Sequence, residues 1–454
     1  MKLTKSFYAA GLLSVAVTSA PAFAKAPAAE IAKLGGELTP VGAEKAGNAD
    51  GTIPAWDGGL KTIPDGYTPG GEYIDPFASE TPLFVITKDN IAEHADKLSE
   101  GQKAMLNAYD SYAMPVFPTH RTAKYSDEVI AFAKENAAKT ELIKDGNALA
   151  NLQGVVPFPI PQSALEVIWN HILRNRGDSF ERYSAQVTPT AGGTYQPVKF
   201  FEEFSQRYAL TDFAKNQDEN VMFYFKQVVT APARLAGNVL LVHETIDQVA
   251  EPRRAWIYNA GQRRVRRAPQ VAYDGPGTAS DGLRTSDNFD MYNGAPDRYN
   301  WKLAGKKEMY IPYNSYKMDS KALSYSDIVT TGHLNSEYTR YERHRVWVVE
   351  GTLKDGERHI YSKRTFFVNE DTWAIVVADH YDGRGELWRH GEAHNKLYYD
   401  VGGTLTTVES LHDLLSGRYI ANGLMNEEPR RYNFDKSFAS KDFTPAALRR
   451  SGRR

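Results

Sequence analysis

From about Asn220 onward, apolar and polar residues alternate with a period of two, and the chain reads as a succession of strands. The pattern predicts them over residues 221–229, 234–246, 253–258, 262–267, 298–310, 338–353, 358–368, 373–381, 386–399 and 418–422. Short turn signals join many of them, among them Asn259-Ala260-Gly261, Lys354-Asp355-Gly356, Asn369-Glu370-Asp371 and Asp382-Gly383-Arg384-Gly385. Strands joined this tightly are antiparallel neighbours. About ten of them exceed what an open sheet holds without curling, so a strongly curved sheet, an incomplete barrel with a concave face, is expected. Stretches such as Arg345-Val346-Trp347-Val348-Val349 and Thr365-Phe366-Phe367-Val368 are apolar at successive positions, so both faces of the sheet must meet apolar material. With helices covering one face, the other needs a cover or a guest, which points to a hydrophobic ligand of lipid size.

Upstream the period becomes helical. Thr87 can cap a segment with Ile91, Ala95 and Leu98 on one face, and Ser126 can cap a helix over 127–139 whose Asp127 and Glu128 suit its N-terminus. The clearest helix spans 163–175. Ser163 and Glu166 form a capping box, Leu165, Ile168, Trp169, Ile172 and Leu173 form a stripe, and Gly177 stands beyond the end. The stiff run Pro157-Phe158-Pro159-Ile160-Pro161 fixes where that stripe lands, on core or on a ligand. Residues 38–84 are dense in Gly and Pro and read as an irregular wrap tethered by Trp56. The expected organisation is a signal peptide (1–24), the wrap (25–86), a helix-rich part packing on the sheet (87–215) and an antiparallel half-barrel with a C-terminal tail (216–454).

The signal peptide follows from Lys2 and Lys5, the apolar run 7–17 and Pro21-Ala22-Phe23-Ala24, with cleavage expected after Ala24. The run is shorter than the roughly 20 residues of a spanning helix. The chain is therefore expected to be exported, soluble and periplasmic in a Gram-negative cell. Its charge balance, 54 basic against 56 acidic residues, gives no general attraction for nucleic acid. With no cysteine among 454 residues, disulfides, thiolate metal sites, cysteine nucleophiles and N-terminal lipid attachment are excluded. The 26 Tyr, 20 Phe and 7 Trp agree with a β-rich body.

Motifs for chemistry are few. The sequence contains neither G-x-S-x-G nor G-x-x-x-x-G-K-[ST], and Gly275-Pro276-Gly277 reads as a turn. His380, His390 and His394 lie among Asp379, Asp382, Glu386 and Glu392. On a strand, positions four apart are roughly 13 Å from each other, too far to chelate one ion, unless Gly391 breaks the strand. The other reading is that these groups form polar faces of half-buried strands. No metal or cofactor is expected. Arg253-Arg254 and Arg263-Arg264-Val265-Arg266-Arg267 fall on one hairpin, where alternation groups guanidiniums on a face. Such a face either holds an anionic head group or is simply solvated and ion-paired.

Several segments carry a family resemblance: Leu38-Thr39-Pro40 through Gly58-Gly59, the Pro157-Phe158-Pro159 approach to Gly177, Ala255-Trp256-Ile257-Tyr258 with the hairpin from Arg263 to Pro269, Asp281-Gly282-Leu283 with Asp287, and Asp442-Phe443-Thr444-Pro445 with Leu448-Arg449-Arg450. In these the chain resembles the exported proteins of domain-of-unknown-function family 1329, which look like distant relatives of outer-membrane lipoprotein-sorting carriers of the LolA and LolB type. The resemblance implies an α+β fold, a strongly curved antiparallel sheet with helices over its concave face and an apolar cavity between them. It also implies neighbours in the cell, an inner-membrane resistance-nodulation-division exporter and an outer-membrane barrel protein, and carriage of a hydrophobic cargo between membranes. It supplies no catalytic residue, and this chain is about twice the length of the lipoprotein carriers.

The expected function is thus a periplasmic carrier or chaperone, not an enzyme, that binds a lipid, acyl chain or other hydrophobic cargo. Trp169, Trp256, Trp347 and Phe366 are the expected lining, and Arg264 or Arg266 would meet a head group. The alternatives are a metal-dependent hydrolase using His390, Glu392 and His394, or a scaffold that bridges exporter and barrel without binding cargo.

Overall fold

The computed structural model describes residues 25–452 apart from 217 and 270, so the expected signal peptide lies outside the described residues. One sheet of fifteen strands organises the molecule. In chain order they are β1 (Phe84–Ile86), β2 (Met114–Val116), β3 (Ser179–Val187), β4 (Val198–Gln206), β5 (Val221–Ala231), β6 (Val239–Thr245), β7 (Arg254–Asn259), β8 (Arg264–Arg267), β9 (Tyr299–Pro312), β10 (Tyr341–Leu353), β11 (Lys363–Asn369), β12 (Ile375–Tyr381), β13 (Leu387–Tyr398), β14 (Gly403–Asp413) and β15 (Arg418–Leu424). Across the sheet they run β1, β2, β10, β11, β12, β13, β14, β15, β3, β4, β5, β6, β7, β8, with β9 also paired to β10. The pairs are antiparallel except where Val116 of β2 meets Tyr341 of β10. The two ends, β1 and β8, do not pair with each other, so the curved sheet is not a closed barrel.

The helices are α1 (Glu100–Ala108), α2 (Asp127–Lys139), α3 (Ala164–Ile172) and α4 (Pro445–Ser451), with shorter turns elsewhere. Capping boxes start α1 at Ser99 and Gln102 and α3 at Ser163 and Glu166, and Thr444 caps α4 with Pro445 in its first turn. Each cap gives partners to amides that the first helical turn would otherwise leave unbonded.

Both faces of the sheet are covered. Phe366 and Phe367 are successive residues of β11 and so point to opposite sides. Phe366 joins the large core that holds α3, with Ile168, Trp169 and Ile172, while Phe367 packs with Met309, Ile311, Val346 and Val377. On this second side α1 lies against β12 and β13. The large core continues to Phe180, Phe204 and Phe223 of β3, β4 and β5, and the molecule fills most of its own concavity.

The wrap is tied down at named points. Trp56 donates from Nε1 to the Ala123 carbonyl (2.9 Å), and the Tyr73 and Tyr67 hydroxyls donate to Asp400 (2.6 and 2.7 Å). At Gly42 (φ +97°) an added Cβ would stand 1.6 Å from the Pro159 carbonyl oxygen, so only glycine lets the wrap touch the stiff arm before α3.

Three expectations need correction. The part over 87–215 is not simply helix-rich, because β3 and β4 lie inside it and join the main sheet. Their period was hidden by polar residues that are buried in pairs, such as Arg182 with Glu202. Strand β14 was missed for a similar reason, since Thr407, Glu409, Ser410 and His412 are all buried. The helix capped at Thr87 shrinks to Ile91–His94 and one tighter turn, and the chain then restarts as α1 from Ser99.

Candidate ligand-binding cleft

A cleft of about 820 Å³ opens at the β1 end of the sheet. One wall is the wrap from Glu72 to Pro82; the others are Val85 of β1, Pro115 of β2 with Phe117 beyond it, and the excursion between β9 and β10. Local sequence explains each wall. In β1, alternation sends Ile86 into the core and leaves Val85 exposed to the cleft. In the wrap, the Asp75 carboxylate accepts the Phe77 amide (2.8 Å), an Asx turn that presents the Phe77 ring. That ring stacks on His120 with centroids 4.1 Å apart.

The floor is a buried cation with aromatic cover. The Arg340 guanidinium lies 5.0 Å from the Phe77 centroid and 4.5 Å from that of Phe117. It donates to Glu342 (2.6 Å) and Glu80 (2.7 Å), and Glu342 also accepts from the His120 amide (2.8 Å). Burial alone would lower the Arg340 pKa, but Glu342 and Glu80 outweigh it and raise it. Asp75, by contrast, is pushed up by burial. The charge on the floor is thus neutralised internally, and what faces the opening is mostly Phe77, Val85, Pro115, Phe117, Tyr316 and Tyr338. A surface of this kind binds by excluding water from apolar groups.

The six residues expected to line a cavity do not meet in one, and none lines this cleft. Trp169 is fully buried in the large core, its Nε1 donating to the Gly146 carbonyl (2.9 Å). Phe366 is fully buried in the same core, and Trp347 packs at its margin, stacked on Trp373. Trp256 belongs to a separate core beneath α4, and Arg267 covers its ring. Arg264 and Arg266 are exposed on β8, the terminal strand of the sheet. Their physical role is packing for the aromatics and, for the arginines, a charged edge that discourages another chain from pairing there.

The histidine group is a pair of separate networks. Asp379 and His380 are successive in β12 and point to opposite sides; the His380 ring accepts from Asn288 (3.0 Å), while Asp379 faces α1. His390, Glu392 and His394 share one face of the unbroken strand β13. His390 Nδ1 lies 2.8 Å from Asp379 Oδ1, and its Nε2 is 3.7 Å from Glu392. Glu392 accepts from Gln102 (3.0 Å) and from the Tyr341 (2.7 Å) and Tyr112 (3.3 Å) hydroxyls. Among the described residues no cluster of three or more such side chains has the arrangement to hold a metal ion. The network instead glues α1 to the sheet.

Sequence reasoning missed Phe77, Val85, Phe117, Tyr316 and Arg340. A signal is present in the sequence: residues 311–337 form a long connection between predicted strands whose neighbours are joined by tight turns, and such connections are commonly functional.

The fold and cleft thus define an α+β protein with one large antiparallel sheet and an apolar surface cleft. The chain belongs to the family described as "Protein of unknown function (DUF1329)", which matches residues 85–449. It is 58% identical over 453 residues, 100% of both chains, to Uncharacterized protein PA3922 of Pseudomonas aeruginosa. Among solved structures it is similar to a DUF1329 family protein from Desulfovibrio piger (15% identity, 60% of this chain and 92% of that one, TM-score 0.41). It is similar also to LolA superfamily protein NE2245 from Nitrosomonas europaea (15% identity, 63% and 98%, TM-score 0.37). The fold assignment itself rests on the pairing of the fifteen strands. Among the described residues no helix is long and apolar enough to cross a membrane.

Proposed function

We propose that this protein is a carrier that shields a hydrophobic or amphiphilic small molecule in the cleft beneath the wrap, acting after export in the periplasm. The observation that carries the reading is the 820 Å³ opening itself, which falls within the size range of small-molecule sites and is walled mainly by aromatic and aliphatic side chains. Burial of an acyl chain contributes about 0.8 kcal/mol per methylene, so a chain of about ten carbons supplies roughly 8 kcal/mol before the costs of association are subtracted. No reactive group is needed for that work. The wrap, which forms one wall, is anchored through Tyr67 and Tyr73 to Asp400 and is the element whose movement would admit cargo. Delivery between an inner-membrane exporter and an outer-membrane barrel is the finer form of the proposal.

The test is native mass spectrometry with lipid extraction of protein purified from its own cell envelope, for the wild type and for Ala78→Trp and Val85→Arg. Both substitutions crowd the cleft from exposed positions. The wild type should carry an extractable hydrophobic molecule and the two variants should lose it while melting normally. A clean apo mass for the wild type, or cargo retained in both variants, would overturn the carrier.

A further inference from the structure

Beneath the segment 271–293, on the concave side and away from the cleft, lie two voids of about 70 Å³ each. Both are bordered by Phe223, Phe225 and Phe289, which stand between them as a partition. Neither shares a lining residue with the cleft. One void contains Arg284 against Leu240 and Val242; the other contains Glu409.

Arg284 is 7% exposed, and its Nε and one terminal nitrogen have no hydrogen-bond partner among the described residues. Its remaining contacts are a 3.5 Å approach to the Gln186 side chain, at the limit of a hydrogen bond, and the Phe289 ring, whose centroid lies 5.7 Å from the guanidinium. No carboxylate lies within ion-pair distance of it among the described residues, in contrast to Arg174, Arg176, Arg182 and Arg364, which are buried nearby or on the same sheet and each have one. Glu409 likewise has no ion pair within that distance among the described residues, its hydrogen bond coming from the Met291 amide (3.2 Å), although across the partition it and Arg284 act on each other as opposite charges. Burying a charge without a partner costs several kcal/mol, and such groups are normally paired.

The surroundings are built around this guanidinium. At Gly277 an added Cβ would stand 3.1 Å from Arg284 Nε, so glycine leaves the side chain its room. Phe289 is followed by Asp290 and Met291, both at positive φ (55° and 65°), a strained turn held by the pairing of Asp290 with Arg174 and Arg176. The partition is therefore fixed in place rather than loosely packed.

We infer that Arg284 is the head-group receptor of a second site that takes a carboxylate bearing a short aliphatic chain. The carboxylate would accept from the unpaired fork of Arg284, and the chain would lie along Phe225, Leu240 and Val242. A carboxylate matches the two unpartnered donors of the Arg284 guanidinium, and the apolar walls favour an acid with a tail over a bare inorganic anion. Each void holds several water-sized spheres of about 10–15 Å³, which suits a carboxyl group and a few carbons. A longer chain has to pass Phe289 into the second void. This site stands independently of the cleft.

The experiment is isothermal titration calorimetry of the purified protein with acetate, hexanoate, decanoate and inorganic phosphate, alongside thermal melts. Hexanoate should bind one molecule per chain, with acetate and phosphate at least about tenfold weaker. Arg284→Met combined with Glu409→Gln, so that no buried carboxylate loses its opposite charge, should weaken hexanoate at least about tenfold yet melt close to the wild-type temperature. Loss of stability in that double variant would mark a structural arginine and overturn the inference, as would hexanoate binding that survives the substitutions, phosphate binding as tight as hexanoate, or no saturable binding in the wild type. Arg284→Lys keeps the charge without the fork and should bind at an intermediate level. Phe289→Ala should shift the preference towards decanoate. Ala78→Trp should leave hexanoate binding unchanged, so that failure of the cleft and failure of this site are read separately.

Discussion

At pH 6 His390 is an imidazolium held between two carboxylates in the buried seam between α1 and the sheet, and removing it tests how that seam is held. Asp379 accepts from its Nδ1 at 2.8 Å, Glu392 lies 3.7 Å from its Nε2, and all three side chains are within 2% of full burial. Burial alone would lower the imidazole pKa; Asp379 and Glu392 outweigh it and raise it to about 9 from 6.5. Burial likewise pushes Glu392 up, and His390 outweighs it and brings Glu392 down to about 2. A group whose folded pKa is raised stabilises fully below its unfolded pKa and loses that contribution as pH rises through the folded value. The window is therefore pH 6.5 to about 9. At about 1.4 kcal/mol per pH unit, roughly 3–4 kcal/mol of stability should disappear across it. The facing histidines oppose no part of this, since burial lowers the pKa of both His394 and His412 and so moves their titration to the acid side of the window. Urea unfolding at pH 6, 7.5 and 9 should show that slope in the wild type. His390→Gln should be less stable at pH 6 by about 3–5 kcal/mol, the cost of leaving buried carboxylates unpaired, and should lose most of the slope. Parallel pH profiles for the two proteins would refute the assignment of the charge to His390.

Gly101→Ala places a Cβ 2.1 Å from His390 Nδ1 and 2.2 Å from Asp379 Oδ1, so differential scanning calorimetry should find a loss above about 3 kcal/mol or no folded protein. Trp169→Ala empties a fully buried site in the large core and should cost about 3–5 kcal/mol in urea; Trp169→Phe keeps most of the volume and should cost about 1–3 kcal/mol through the bond lost to Gly146. The double substitution Arg264→Ser with Arg266→Ser removes two exposed charges from β8 and should leave stability within about 0.5 kcal/mol of the wild type by the same assay.

Much of the sheet was legible because hairpin strands with one core face and one outer face announce themselves locally. The expected strand 386–399 coincides with β13 (Leu387–Tyr398), and 373–381 with β12 (Ile375–Tyr381), to within two residues at each end. The capping box at Ser163 started α3 as expected, although the helix ends at Ile172, short of 175. The three missed strands share one cause. Strands β3, β4 and β14 bury polar side chains in ion pairs and hydrogen bonds, so their alternation is between two kinds of buried residue rather than between inside and outside. Periodicity cannot register that distinction.

For the candidate sites the divide is sharper. Trp169, Trp347 and Phe366 were visible as large apolar groups, but an apolar residue on a strand or helix face looks the same whether it meets a ligand or another side chain. The burial of Trp169 and Phe366 in the large core, with Trp347 at its margin, was decided by α3 filling the concavity. The cleft depends on Phe77, Phe117 and Arg340, which come from three distant stretches of chain and acquire meaning only when the wrap crosses the sheet edge.

By itself the sequence determined the secondary elements with strong local signals, the antiparallel order of the tight hairpins, the exclusion of cysteine chemistry and the presence of apolar material on both sheet faces. Those are properties of short windows, where turn geometry and side-chain alternation act over a few residues. Only the tertiary structure decided that the chain covers its own concave face, where its large opening lies, and which buried charges are ion-paired and which, like Arg284, keep donors without a partner among the described residues. Burial and pairing depend on residues hundreds of positions apart reaching the same few ångströms.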